Sequence, residues 1–216
     1  MDELMALSED ELVKAMETDD PLGFYYWICM QGFEDNIRKA MGENAGIADK
    51  FIASVKDRQD EMSEKYPMIW ERTEFLNEMR FRIGSILMAQ NHANAGGKGK
   101  TYMYFFGKGY DPTVIPDEPW LGACHACELT YALNNKEYTA GGPYDQELMK
   151  NFSGAIVSFA KNGDPSQPGI PWGEYDTVSR NTMVIGRDAS MYMESDPKKE
   201  QREMLLPIFY DYWINQ

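Results

Sequence analysis

Thiols, imidazoles and positive charge are all scarce in this 216-residue chain, and each scarcity removes a class of protein. Three cysteines, an odd number with two of them only three positions apart, do not make a disulfide framework for a chain this size, so reduced thiols are expected. There are 21 basic against 35 acidic side chains, a formal charge of −14 that repels phosphate backbones and anionic lipid heads. Nucleic acid and membrane surfaces are therefore not expected partners. Long apolar runs are missing as well, since none approaches the roughly 20 residues needed to span a bilayer. Met1 to Met5, with Asp2 and Glu3, lacks the basic and apolar regions of a signal peptide, and a cytoplasmic location is the resulting expectation. What is present is the mix of a folded chain, 43% hydrophobic, 13% aromatic and 26% charged, at a length of one domain or a large part of one.

Helical patterning dominates. Ser8 with Glu11 forms a capping-box pattern ahead of Leu12, Val13 and Met16, and Asp19-Asp20-Pro21 stops that helix. The dense aromatic stretch Gly23 to Met30 is a buried strand or extended segment that needs cover. Residues 34–65 form two helices broken near Gly42 to Gly46, with Ile37 and Met41 on the first and Phe51, Ile52 and Val55 on the second. A longer amphipathic helix covers 73–93, carrying Phe75, Met79, Ile83, Ile86 and Leu87 toward a core. Thr101 to Phe106, aromatic and bounded by glycines, has the pattern of a strand inside a sheet and buried on both faces. A proline-rich loop and a short helix over Glu128 to Leu133 follow. Asp145 to Lys161 is amphipathic, with Leu148, Met149, Phe152, Ala155, Ile156 and Phe159 on one side and Gly163 at its end. Asn181 to Ile185 and Met191 to Glu194 form a short hairpin or two extended pieces, and Pro197 opens a terminal helix. The fold class is α/β, helix-rich with few strands.

Two clusters of residues bear on chemistry. Cys124-His125-Ala126-Cys127 has the C-x-x-C spacing of a redox or zinc site, but only His92 and Cys29 remain elsewhere as nitrogen or sulfur ligands, without a second paired spacing. Small cysteines packing a tight loop is the better account, so neither metal nor other cofactor is expected. His125 differs, because it follows a buried strand and a long loop, where hydrolases with a parallel sheet present their general base.

Thr101-Tyr-Met-Tyr-Phe-Phe106, Leu121-Gly-Ala-Cys-His125-Ala-Cys-Glu-Leu129, Phe159-Ala-Lys-Asn-Gly-Asp-Pro165, Ile170-Pro-Trp172 and Tyr175-Asp176 occur in this order. The ordered set resembles the C-terminal part of type-B carboxylesterases, the family of para-nitrobenzyl esterases and cholinesterases. It covers about residues 75–216, and residues 1–70 match more loosely. The resemblance implies the C-terminal part of an α/β-hydrolase fold with an incomplete sheet, divided into a helical N-terminal region at 1–72 and a portion at 73–216 that carries the histidine loop. It also implies that His125 corresponds to the general base of a Ser–His–Glu triad acting on an ester carbonyl.

The family's other parts are missing from the sequence. No G-x-S-x-G occurs, since Ser85 and Ser153 lie in helical patterns without the flanking glycines of a nucleophile elbow. Gly96-Gly97 comes too late in the chain to stand for the glycine-rich oxyanion loop. None of Asp2-Glu3, Asp10-Glu11 or Asp60-Glu61 follows glycine and asparagine at the spacing of the triad acid. The expectation is a carboxylic-ester hydrolase represented by its C-terminal fragment and inactive alone. Its partners would be a small-molecule ester once completed, with either a second copy or a separate N-terminal chain covering the open sheet. The alternative is a catalytically silent helical binding or assembly module derived from the same fold.

Overall fold

The computed structural model describes residues 32–55, 61–66, 68–109, 122–135 and 143–213, so the helix expected near Ser8 and the aromatic stretch at 23–30 lie outside the described residues. The chain falls into two compact units, Met1–Ile86 with Lys198–Gln216, and Leu87–Pro197.

The first unit is helical. Helix α1 (Gly32–Met41) ends at Gly42, whose φ of 53° is costly for a residue with a Cβ, and a 3₁₀ turn leads into α2 (Ala45–Ser54). The short α3 (Glu61–Lys65) precedes α4 (Ile69–Asn77), a π-helical turn at Glu78–Arg82, and α5 (Ile83–Asn94). The helix expected at 73–93 therefore begins earlier, behind the left-handed Met68. The unit closes with α8 (Lys199–Trp213). Ile37, Phe51, Ile52, Phe75, Met79, Ile83, Leu205 and Ile208 are buried, with Phe51 and Phe75 rings 5.8 Å apart. Among its described residues two carboxylates are buried. Glu34 pairs with Arg38 at 2.6 Å and Arg72 at 3.2 Å, and Glu78 pairs with Arg82 at 2.5 Å.

The second unit holds the sheet. Its strands are β1 (Tyr104–Phe106), β2 (Asn181–Ile185) and β3 (Met191–Ser195), in the order β1-β2-β3. β1 and β2 are parallel, with Tyr104 opposite Met183 and Phe106 opposite Ile185, whereas β2 and β3 form an antiparallel hairpin. Between β1 and β2 the chain forms α6 (Cys127–Ala132) and α7 (Pro143–Asn162). Residues 102, 104 and 106 share one face of β1. On it Tyr102 meets Phe159, Tyr104 meets Phe152, and Phe106 meets Tyr131, with ring centroids 5.2–5.8 Å apart. The core beneath combines Leu148, Met149, Phe152 and Ala155 of α7 with Tyr131, Trp172, Met183 and Ile185. Gly163 ends α7 in a left-handed conformation, its N–H donating to the Phe159 carbonyl at 2.8 Å.

Two expectations are corrected. The strand buried throughout is β2, where Thr182 to Ile185 are all buried, while β1 lies at the edge of the described sheet with Tyr104 42% exposed. On α7, Ile156 and Phe159 were expected on the covered side and are 41% and 46% exposed. Both departures have one physical reason: the local pattern of β1 and α7 calls for more cover than the described residues of this unit supply. The hairpin and the terminal helix form where the sequence indicates, and no described helix is long and apolar enough to cross a membrane.

Candidate active-site histidine and its turn

β1 runs out through Gly107, Lys108 and Gly109, and the described chain resumes at Gly122. The two ends meet. A Cβ placed on Gly109 would press on the Gly122 carbonyl and come within 2.8 Å of its Cα, so this crossing requires glycine. Gly122 itself has φ 59°. From this pinch a compact turn begins at the C-terminal end of β1, the end at which open parallel sheets place their ligands. Cys124 N–H donates to Gly122 C=O at 3.0 Å, and Cys127 N–H donates to Cys124 C=O at 3.2 Å. The second bond closes a β-turn with His125 and Ala126 at its centre, and Ala126 at φ 67°, ψ 5° has the third-position geometry of type II. Ala126 then caps α6. His125 is exposed at the apex of this turn.

The turn is anchored on its inner side. Cys127 is buried and its Sγ donates to the Lys108 carbonyl at 3.4 Å. The Lys108 ammonium lies 3.2 Å from Oδ1 of Asp145, a largely buried carboxylate in the first turn of α7. One residue thus ties the exit of β1 both to the histidine turn and to the long helix. The local sequence signals this tie only through a lysine between two glycines directly after the strand.

Burial pushes the Cys127 thiol up to about 12, and its neighbours Cys124 and Glu128 add to the shift. A thiol held neutral in this way is the opposite of the thiolate that redox chemistry or zinc ligation needs. Among the described residues no cluster of three or more His, Cys, Asp or Glu side chains could hold a metal ion.

The other candidates are spread apart by role. His92 is exposed near the end of α5, with Nδ1 2.6 Å from the Thr101 hydroxyl. Ser85 and Ser153 are helical and donate to carbonyls of their own helices, Phe81 at 2.9 Å and Lys150 at 3.4 Å. Gly154, beside Ser153, is occupied by packing: the Gln167 side chain fills the space a Cβ would need, and its Nε2 donates to Asn151 C=O at 2.7 Å. Neither serine stands on a strand-to-helix elbow. Of the candidate acids, Asp2, Glu3, Asp10, Glu11 and Asp60 lie outside the described residues.

The remaining motif residues brace β1. Asp164 accepts the Ser166 N–H at 2.8 Å, which holds its carboxyl below the usual range, and Ser158 donates to the Asp164 carbonyl at 2.7 Å. Ser166 Oγ accepts the Trp172 N–H at 3.0 Å, while the Trp172 indole donates to Met103 C=O at 3.2 Å and Tyr175 N–H donates to Thr101 C=O at 2.7 Å. These residues fasten the segment after α7 along the strand that leads to His125.

Comparison with known proteins gives a consistent family. The model of the carboxylesterase family matches residues 24–205. The para-nitrobenzyl esterase of Bacillus subtilis (strain 168) is 32% identical over 95 residues, 41% of this chain and 19% of that protein. Liver carboxylesterase 1 of Mus musculus is 29% identical over 110 residues, 48% of this chain and 18% of that protein. A PNB esterase structure superposes with TM-score 0.59 at 19% identity, covering 81% of this chain and 32% of its own. A Geobacillus stearothermophilus carboxylesterase does so with TM-score 0.57 at 22% identity, covering 79% and 33%. The matched segments thus span about a fifth of the curated relatives and about a third of the solved structures.

Proposed function

The chain belongs to the carboxylesterase family, and on that premise we propose that it is the histidine-bearing C-terminal portion of a carboxylic-ester hydrolase. The observation that carries the reading is the exposed His125 at the apex of a hydrogen-bonded turn, immediately beyond the end of parallel strand β1 and within the matched residues. An imidazole held there would serve as the general base. It would take the proton from a serine hydroxyl as that oxygen attacks an ester carbonyl, and return it to the departing alcohol.

The serine, the triad acid and the oxyanion donors belong to the portion of the family that this chain does not span, and with them the pockets that choose the ester. Removing one triad member leaves a residual rate of ~10³–10⁴ over water only because oxyanion hole and binding site remain. With neither present, the chain alone has no such residue to fall back on. A cytoplasmic location is part of the same proposal and is supported by Cys124 and Cys127 being free thiols. The second reading, a silent assembly module, is favoured by Ser85 and Ser153 both being tied to helix carbonyls.

Hydrolysis of a para-nitrobenzyl ester separates the two. The purified chain is expected to match a heat-treated control. Mixed with the B. subtilis esterase truncated before its matched segment, it is expected to give saturable hydrolysis that neither component shows. Binding without hydrolysis would support the silent module instead.

A further inference from the structure

We propose that Lys108 is a positioning residue for His125, holding the histidine turn in one orientation through its carbonyl on Cys127 and its ammonium on Asp145. This rests on the reading of His125 as the general base, and it names what sets the direction of the imidazole.

The need for such a hold arises in the main chain. Pairing with β2 runs to Phe106 opposite Ile185, and Gly107 N–H donates to Ile185 C=O at 2.8 Å. Lys108 follows with a glycine on each side, and glycine lets a chain leave a sheet in many directions. His125 lies beyond this exit, exposed on its turn. A general base must meet its proton within about 2.6–3.2 Å, and a displacement of about 1 Å can cost about 10²-fold in rate.

Two bonds of Lys108 remove that freedom. Its carbonyl accepts from Cys127 Sγ at 3.4 Å, and Cys127 N–H closes the β-turn around His125 by donating to Cys124 C=O. Its ammonium reaches Asp145 Oδ1 at 3.2 Å, in the first turn of α7. That helix is a fixed reference, because Leu148, Met149, Phe152 and Ala155 bury its inner stripe in the core. The route from core to imidazole therefore runs through α7, Asp145, Lys108, Cys127 and the turn.

Stability does not account for the pair. The two side chains are 15% and 7% exposed, so both charges give up most of their hydration, and buried ion pairs are often no more stabilising than apolar residues of similar volume. Asp145 Oδ2 is buried without a hydrogen-bond partner among the described residues, so the carboxylate is only half satisfied. What a charged hydrogen bond supplies and an apolar contact does not is direction. Beside the histidine turn, that direction has a use.

The chain has two histidines, so isotope-labelled full-length protein gives two imidazole Cε1–H signals at a given pH, with His92 as an internal reference. Lys108→Met should displace or split the His125 signal and leave that of His92 in place. Lys108→Met combined with Asp145→Leu should regain urea stability while the His125 signal stays displaced, and it is the variant to read if Lys108→Met alone does not fold. Mixed with the truncated B. subtilis esterase, the double variant should lower kcat for the para-nitrobenzyl ester by about ten-fold or more with KM unchanged. An unmoved His125 signal, equal displacement of both histidines, a return of the parent signal in the double variant, or an unchanged kcat would overturn the proposal. Displacement of His125 alone, in mixtures that never hydrolyse the ester even with the parent chain, would uphold the hold on the turn and count against the catalytic reading instead.

Discussion

The Cys127 thiol, 1% exposed and bonded to the Lys108 carbonyl, is pushed up to about 12 and stays protonated near neutral pH. It should resist a water-soluble disulfide reagent until the chain unfolds. Replacing Cys124 and Cys127 together by Ala should cost about 1 kcal/mol each. Stoichiometric zinc in the purified protein, lost in that double variant, would contradict a packing role. Gly109 is constrained by Gly122 rather than by its own dihedrals, so Gly109→Ala forces the base of the loop apart. A loss of about 1–3 kcal/mol in urea unfolding, with a shifted His125 imidazole resonance, is expected. An unchanged spectrum would mean that the pinch does not hold the turn. Glu78 offers a pH test. Burial raises its carboxyl above 4.5 despite the opposing pull of Arg82, so the folded state takes up its proton more readily than the unfolded state. Its contribution to stability is then fully present below the unfolded value and is lost as pH rises through the folded one. Glu78→Gln should match the parent in acid and gain on it as pH rises toward neutrality, measured by urea midpoints. A variant that loses ground over that window would reverse the sign.

Lys108 and Asp145 act at the level of elements, joining the exit of β1 to the start of α7. Lys108→Met leaves a buried carboxylate without its cation and should cost about 3 kcal/mol, whereas Lys108→Met combined with Asp145→Leu should recover much of it. Equal losses in the single and double variants would show that the pair is not coupled. Elements with local causes are legible in the sequence. The break at Gly42, the inner stripe of Leu148, Met149, Phe152 and Ala155, and the Asn181–Ile185 and Met191–Ser195 hairpin all arise from residues close in the chain. The position of β1 at an edge is not legible, because Tyr102 to Phe106 records the burial the strand is suited to, not which neighbours are present. The Lys108–Asp145 tie and the Gly109–Gly122 contact escape for the same reason: each joins residues across a long separation, and neither partner shows the other. His125 itself stands out through motif order, while the type II turn that presents it depends on Ala126 adopting a left-handed conformation that glycine or asparagine would ordinarily signal.

At the scale of the whole molecule, a family match over residues 24–205 coexists with coverage of about a third of the solved relatives, and the proposed chemistry divides along that line. The chain carries the turn with the histidine and the strand that supports it. On the proposed reading, nucleophile, acid and oxyanion donors belong to the part of the family that it does not span. The central claim is that His125 is the base of an ester-hydrolysing site, and one quantity tests it most directly: kcat/KM for para-nitrobenzyl ester hydrolysis by the chain mixed with the truncated B. subtilis esterase, with His125 and with His125→Ala. The expected result is restored hydrolysis that falls by ~10³-fold or more in the variant while the two polypeptides still bind each other. Restored hydrolysis that His125→Ala leaves unchanged would contradict the claim.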